Sequence, residues 1–320
     1  MTESSGAQGA SGTTGALAIE PEGVREWLRD AVEAGGATVV PPEAAEALLW
    51  AAPDDPAGLR EVLAAHGDHL RWVQLPWAGI EPYVDVLDHD RIWTCGKGVY
   101  AEPVAEMALA LSLAGLRGLD RYARSTTWRE HGTIGTNLGG ARVTILGGGG
   151  ITTSFLRMIG PFDCRTTVVR RHPDGPPPAD HVTVVGEAGL AEAVTGADLV
   201  VLALALTPST TGLVDSALLE RMGPTCHLVN VARGAHVVTD DLVAALRDGT
   251  IASAGLDVTD PEPLPDGHPL WTLPNCTLTP HVGNTPRMAV PLLSARITDN
   301  VRRWLGGEEL VGLVDVDLGY

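Results

Sequence analysis

Val143-Thr144-Ile145-Leu146-Gly147-Gly148-Gly149-Gly150-Ile151-Thr152 decides the fold. Four β-friendly residues run into four glycines, and beyond them Ile151, Phe155 and Ile159 recur at helical spacing. The order therefore reads strand, glycine turn, helix. A glycine turn at that junction lets the backbone pass close to a bound group. Its N–H groups and the helix N-terminus then face an anion, typically a dinucleotide pyrophosphate. A second strand, Thr166 to Val169, follows at the distance a βαβ unit requires. Gly147, Gly149, Gly150 and Ile151 are the expected cofactor contacts. Thr152 stands where the glycine fingerprint has its third glycine, which normally permits close helix–strand packing, so the helix is expected to sit slightly farther out.

A chain of 320 residues suggests two domains, and its apolar content is ordinary for a globular protein. The net charge of −18 argues against nucleic acid or an anionic membrane surface as a partner. Any anionic ligand must be captured by locally placed positive groups. Lys97 is the only lysine, so arginine carries nearly all the basic chemistry. The cysteines, Cys95, Cys164, Cys226 and Cys276, are widely spaced without a metal or redox motif. They read as free thiols in a reducing cytoplasm, and no metal site is expected. Residues 1–15 read as a disordered tail, with neither the basic nor the apolar region of a signal peptide. The longest apolar runs, Leu199 to Leu206 and Val104 to Leu116, fall short of the roughly 20 residues needed to span a bilayer. A soluble chain is expected.

From Ala16 to about Cys95 short strands alternate with helices: Leu17 to Ile19, the helical stretch Val24 to Ala34, Thr38 to Val40, a helix near Leu59 to Ala65, then strands at Arg71 to Leu75 and Arg91 to Thr94. Such alternation implies a small α/β domain with a parallel sheet. Pro103 and Glu106 suit the start of a long helix, about Val104 to Trp128. After the glycine strand come the continuously apolar Leu199 to Leu206, then His227 to Val231, Ala252 to Leu256 and Cys276 to Thr279, all read as strands. A final amphipathic helix, about Arg287 to Trp304, leads into Leu310 to Val316, which is expected to return to the first domain. The expected division is 16–103 with 287–320, and 104–286.

Three later segments share one geometry: a strand ends and polar residues follow, at the edge where open α/β sheets bind ligands. They are Leu228-Val229-Asn230-Val231-Ala232-Arg233-Gly234, Gly255-Leu256-Asp257 running to Glu262-Pro263-Leu264, and Leu278-Thr279-Pro280-His281-Val282-Gly283. An arginine, a carboxylate and a histidine so placed suit reduction of a keto acid. Arg233 would pair with the substrate carboxylate in bidentate fashion. His281 would give a proton to the carbonyl oxygen as hydride reaches carbon. Glu262 would fix the imidazole tautomer and favour its protonated form. Each also has a plain structural reading, as a capping arginine, a solvated loop carboxylate and a hydrogen-bonding histidine.

These segments resemble the D-isomer-specific 2-hydroxyacid dehydrogenase family, from about Leu75 to the C-terminal Gly319-Tyr320. The resemblance implies a Rossmann-type doubly wound nucleotide-binding domain plus a smaller flavodoxin-like α/β substrate domain. It implies catalytic roles for Arg233, Glu262 and His281, and places Asp257 by the nicotinamide amide. Leu206-Thr207-Pro208-Ser209-Thr210 is similar to the family's cofactor-covering loop, which assigns Thr207 and Pro208 to the cofactor. Gln74-Leu75-Pro76-Trp77-Ala78-Gly79-Ile80 resembles its substrate loop, with the N–H groups of Ala78 and Gly79 holding the substrate carboxylate and Trp77 shaping the pocket. That wording is most like glyoxylate and hydroxypyruvate reductase-type members, so a small 2-keto acid is the implied substrate. The family's pairing through nucleotide-binding domains implies a homodimer. Its dinucleotide-sensing corepressors offer a non-catalytic alternative, which an intact Arg, Glu and His disfavour. Formate- or phosphite-dehydrogenase-like members offer another; the formate type has glutamine where Glu262 stands.

Cofactor choice is read at the end of the second strand, where an acidic residue would bind the ribose hydroxyls of NAD. Val169 is followed instead by Arg170 and Arg171, about twenty residues past Gly149. Two guanidiniums there suit forked hydrogen bonds to a 2′-phosphate, which favours NADP over NAD.

Overall fold

The computed structural model describes residues 14–128 and 134–319, so all but Thr14 and Gly15 of the expected tail lies outside the described residues. The chain divides into two compact units, Met1–Val99 with Ala289–Tyr320, and Tyr100–Met288. The division falls a few residues from 103/104 and 286/287, because the helix expected to open at Pro103 begins at Ala101.

In the first unit β1 (Ala16–Glu20), α1 (Trp27–Ala34), β2 (Thr38–Val39), β3 (Ala47–Trp50), α2 (Pro56–His66), β4 (Trp72–Gln74) and β5 (Ile92–Thr94) build a parallel sheet of order β2-β1-β3-β4-β5. That is the flavodoxin-like order. The sequence pattern predicts no strand at β3. All four of its residues are buried, and a strand covered on both faces has no alternation to show. From Ala289 onward the C-terminal helix (Pro286–Gly306) belongs to this unit. Its Thr298 hydroxyl donates to the Ala31 carbonyl at 3.0 Å, and Trp304 tilts against Trp72 with ring centroids 5.6 Å apart. The tail then meets β5, where Val314 N–H donates to the Trp93 carbonyl at 2.9 Å.

The second unit runs α3 (Ala101–Leu116), α4 (Leu119–Ala123), β6 (Arg142–Leu146), α5 (Gly150–Ile159), β7 (Arg165–Val169), β8 (Thr183–Val185), α6 (Leu190–Val194), β9 (Leu199–Leu202), α7 (Ser216–Met222), β10 (His227–Asn230), α8 (Thr239–Asp248), β11 (Ser253–Leu256) and β12 (Cys276–Leu278). Its parallel sheet has the order β12-β11-β10-β9-β6-β7-β8. The strands wind outward in both directions from β6 and β9, which makes the fold α/β and doubly wound, with the switch point between those two strands. Val143, Ile145, Val168, Leu199 and Val201 pack with α3 and α5 on one face. Val200, Leu202, Leu228 and Leu256 pack with α7 and α8 on the other. His227 is buried between β11 and α3, with Nδ1 on the Ser253 hydroxyl at 2.8 Å and Nε2 on the Leu111 carbonyl at 3.0 Å. Burial pushes its pKa down, so the ring stays neutral and donates to Leu111.

Two expectations are corrected. The helix predicted over 104–128 is two: α3 stops at Leu116, the chain turns at Arg117 and Gly118, and α4 is five residues long. The apolar run 199–206 is strand only to Leu202. Beyond it the carbonyls of Leu204 and Ala205 leave the ladder for the His236 ring and the Thr210 hydroxyl. Residues 204–206 are partly buried or exposed, and among the described residues they pair with no strand.

Candidate active site

At the switch point Gly147 takes φ +112, and a side chain there would collide with the Ala203 carbonyl of the loop after β9. Only glycine serves so tight a turn. Around Gly149 there is open space instead. Among the described residues the N–H groups of Gly149, Gly150, Ile151 and Thr152 have no acceptor, and the first internal bond runs from Thr153 N–H to the Gly149 carbonyl at 3.1 Å. Four orphan donors around an uncapped helix start form an anion cradle. Thr152 is fully buried and donates its hydroxyl to the Gly147 carbonyl at 2.8 Å. The residue replacing the third glycine thus pins the turn it follows.

The three polar strand ends are joined by a ladder of hydrogen bonds. Asn230, at the end of β10, accepts Asp257 N–H on its carbonyl at 2.9 Å. The Asp257 carbonyl in turn accepts His281 N–H at 2.8 Å. Asn230 is buried, and its side chain accepts Ala232 N–H at 3.0 Å and donates to the Arg233 carbonyl at 2.8 Å. It therefore shapes the turn that presents Arg233, whose own Nη1 donates to the Ala232 carbonyl at 2.8 Å. A side chain at Gly234 would collide with the Thr259 carbonyl, so the arginine turn lies directly against the segment leading to Glu262.

Asp257 is 3% exposed, and its carboxylate takes three donors from the histidine loop. The Thr279 hydroxyl reaches it at 2.6 Å, Val282 N–H at 3.0 Å and Gly283 N–H at 2.8 Å. His281 sits between them at φ +52, a backbone region that costs a non-glycine residue free energy. The anchored loop sustains that conformation. The result is a contact of 2.6 Å between His281 Nδ1 and Glu262 Oε1, with both side chains about half exposed. Among the described residues Nε2 has no partner. With Nδ1 held by the carboxylate, Nε2 is the ring nitrogen left open to an incoming group.

The structure thus brings Arg233, Asp257, Glu262 and His281 onto adjoining loops at one sheet edge. Thr207 and Pro208 lie in a turn closed on itself, with Thr207 N–H donating to the Thr210 hydroxyl at 2.8 Å. His236, fully buried, bridges this turn to the loop after β9, with ring nitrogens 3.2 Å from the Thr210 and Leu204 carbonyls. Arg170 lies across Gly148 and turns back on its own loop, donating from Nη2 to the carbonyls of Gly175 and, at 2.9 Å, Pro176. Among the described residues its buried Nε has no partner. Arg171 Nε stands 3.8 Å from Glu187. In the other unit, Arg25 covers the Trp77 ring at 4.1 Å, and Gly96 N–H donates to the Trp77 carbonyl at 2.8 Å. The N–H groups of Ala78 and Gly79 have no acceptor among the described residues.

Asn230 and His236 are site residues that sequence reasoning missed. The signal for Asn230 is a lone polar residue closing an apolar strand. Nothing local marks His236, whose partners lie 26 and 32 residues away.

The model for the D-isomer specific 2-hydroxyacid dehydrogenase NAD binding domain matches residues 107–283. An uncharacterized protein in the proB 3′ region of Corynebacterium melassecola is 37% identical over 259 residues, 79% of this chain and 84% of that protein. The glyoxylate reductase/hydroxypyruvate reductase of Homo sapiens is 32% identical over 264 residues, 78% of this chain and 79% of that protein. Among solved structures, a D-isomer specific 2-hydroxyacid dehydrogenase from Xanthobacter autotrophicus Py2, in complex with NADPH and MES, aligns with a TM-score of 0.80 and 27% identity, covering 97% of this chain and all of that one.

Asp257→Ala leaves the buried N–H of Gly283 and the part-buried N–H of Val282 without an acceptor, and a buried donor left unpaired costs about 1–3 kcal/mol. Urea unfolding is expected to show a loss of at least about 2 kcal/mol. A variant as stable as the parent would mean that the loop does not depend on this carboxylate.

Proposed function

The chain belongs to the D-isomer-specific 2-hydroxyacid dehydrogenase family, and from that premise we propose the following chemistry for its site. The protein is an NAD(P)-dependent oxidoreductase that moves hydride between a nicotinamide and the C2 of a small 2-keto or 2-hydroxy acid. The observation that carries the catalytic roles is the 2.6 Å contact between His281 Nδ1 and Glu262. Arg233 holds the substrate carboxylate together with the N–H groups of Ala78 and Gly79, and Trp77 shapes the pocket. Glu262 holds Nδ1–H, stabilises the imidazolium and directs Nε2 to the carbonyl oxygen. His281 delivers the proton there in reduction and receives it in oxidation. The preferred substrates are glyoxylate- or hydroxypyruvate-like, as the names of the human and several bacterial relatives indicate for those proteins.

The dinucleotide fits the residues present. The open space at Gly149 and the four orphan N–H donors match a pyrophosphate, and the partnerless Arg170 Nε is a buried donor beside the same turn. When bound, the nicotinamide supplies or accepts the hydride. Gly147, Gly149, Gly150 and Ile151 hold the pyrophosphate, Thr207 and Pro208 cover the cofactor, and Asp257 lies by the nicotinamide amide while holding the histidine loop. NADP is the preferred cofactor and NAD the alternative. Because the Nη2 of Arg170 is occupied by loop carbonyls, Arg171 makes the main contact with the 2′-phosphate, and Arg170 shapes the loop beneath it.

We place the protein in a reducing cytoplasm as a homodimer paired through its nucleotide-binding units. All four cysteines are free, and burial holds each thiol protonated, to about 12 for Cys226 and Cys276. Among the described residues no helix is long and apolar enough to cross a membrane. Leu119, Tyr122 and Trp128 expose apolar surface on the second unit, and sedimentation equilibrium returning only monomer would count against pairing there.

A panel of 2-keto acids assayed with both reduced nicotinamides tests the activity. His281→Ala is expected to lower kcat by about a hundred- to ten-thousand-fold while cofactor affinity changes little. Glu262→Gln removes the carboxylate that holds Nδ1, so kcat is expected to fall while cofactor affinity changes little. Near-parent turnover of His281→Ala or of Glu262→Gln would refute these roles.

For the cofactor, Arg171→Ala is expected to cut kcat/KM for NADPH by about ten- to a hundred-fold, the value of a hydrogen bond to a charged group, and leave NADH nearly unchanged. Arg170→Ala is expected to weaken both cofactors through the loop. Equal losses in Arg171→Ala, or a parent enzyme that prefers NADH, would overturn the assignment.

A further inference from the structure

At the opposite, amino end of the same sheet lies a recess of about 580 Å³ that none of the chemistry above uses. Its floor follows from strand register. Arg142 of β6 pairs directly with Arg165 of β7, and one step on along the same face come Thr144, Thr167 and, across from Thr167, Thr183 of β8. All five line the recess. This is the sheet face that α7 and α8 cover farther along, but over β7 and β8 the cover is only the five-residue α6.

Like charges placed directly opposite on neighbouring strands repel. Among the described residues neither guanidinium makes a hydrogen bond or an ion pair. The one carboxylate bonded nearby, Asp198, accepts the backbone N–H of Arg142 at 2.8 Å rather than its side chain. Glu192 lines the recess but pairs with neither arginine. The Thr144 hydroxyl donates to the Ala193 carbonyl at 2.5 Å, whereas those of Thr167 and Thr183 make no bond within the described chain. In a chain with a net charge of −18, two partnerless guanidiniums side by side above free hydroxyls are unusual, and together they match the forked and single hydrogen bonds of a tetrahedral oxyanion.

We propose that this recess, built on Arg142, Arg165, Thr167 and Thr183, is a second binding site, for a small phosphate-bearing anion. The anion's oxygens would lie between the two guanidiniums, offsetting their repulsion, and the threonine hydroxyls would donate to it.

Equilibrium dialysis of the whole protein with labelled inorganic phosphate, and separately with glycerol 3-phosphate, tests this in the presence and absence of NADPH. With NADPH filling the dinucleotide site, the expected result is one anion bound per chain, with affinity at least ten-fold weaker in the double variant Arg142→Ser/Arg165→Ser and retained in Arg171→Ala. Turnover of the double variant is expected to match the parent, which separates this site from the catalytic one. Tighter binding of the ester identifies a phosphorylated metabolite as the ligand, and equal binding identifies free phosphate. Thr167→Val, which leaves both charges in place, is expected to weaken the same binding. Absence of stoichiometric binding in the presence of NADPH, or binding undiminished in the double variant, would overturn the proposal.

Discussion

A buried carboxylate that accepts three hydrogen bonds from one short loop governs the geometry of this site. Asp257 has no access to water to speak of, so leaving its oxygens unpaired would be costly, and the Thr279 hydroxyl and the N–H groups of Val282 and Gly283 satisfy them. Those donors flank His281 on both sides. Once they are fixed, the histidine has little backbone freedom, and its left-handed φ is held by the surrounding bonds. The Glu262 contact then selects which ring nitrogen faces outward. Each step depends on the one before it, which is why a residue away from the imidazole matters to its chemistry.

The doubly wound sheet makes this arrangement economical in sequence. Parallel strands deliver their carboxyl ends to one edge, so Asn230, Asp257 and the Thr279–Gly283 loop become neighbours although 53 residues separate Asn230 from Gly283. Backbone bonds from Asn230 through Asp257 to His281 continue the ladder past the strands themselves. The glycine turn stands at the switch point of the same sheet, where Gly147 packs against the loop after β9. The glycine turn and the His281–Glu262 contact are thereby built on one sheet within the second unit.

Much of this is readable in the sequence where local rules decide. The four glycines after Val143–Leu146 mark the turn because a strand and a helical period flank them, and the strand ends carrying Arg233, Asp257 and His281 are visible as polar residues closing apolar runs. The boundaries fail where apolar composition and backbone pairing part company. Leu199 to Leu206 is uniformly apolar, yet its second half bonds to His236 and Thr210, partners no local window contains. β3 escapes notice for the converse reason, a central strand without alternation. The placement of Arg170 is also not readable from its neighbour Arg171, since its side chain is drawn onto the carbonyls of its own loop. The part played by Asn230 is a matter of bonds to residues two and three positions on, which composition does not reveal.

The central claim is that Glu262 holds Nδ1 of His281 and so leaves Nε2 as the atom that exchanges the substrate proton. Nitrogen-15 NMR of the His281 ring, assigned by comparison with His281→Gln and followed above the pH at which the ring loses its charge, reads the tautomer directly. The account predicts a protonated, pyrrole-like Nδ1 whose proton is shifted far downfield by the carboxylate, and a pyridine-like Nε2. A neutral ring carrying its proton on Nε2, with Nδ1 unprotonated beside Glu262, would contradict it.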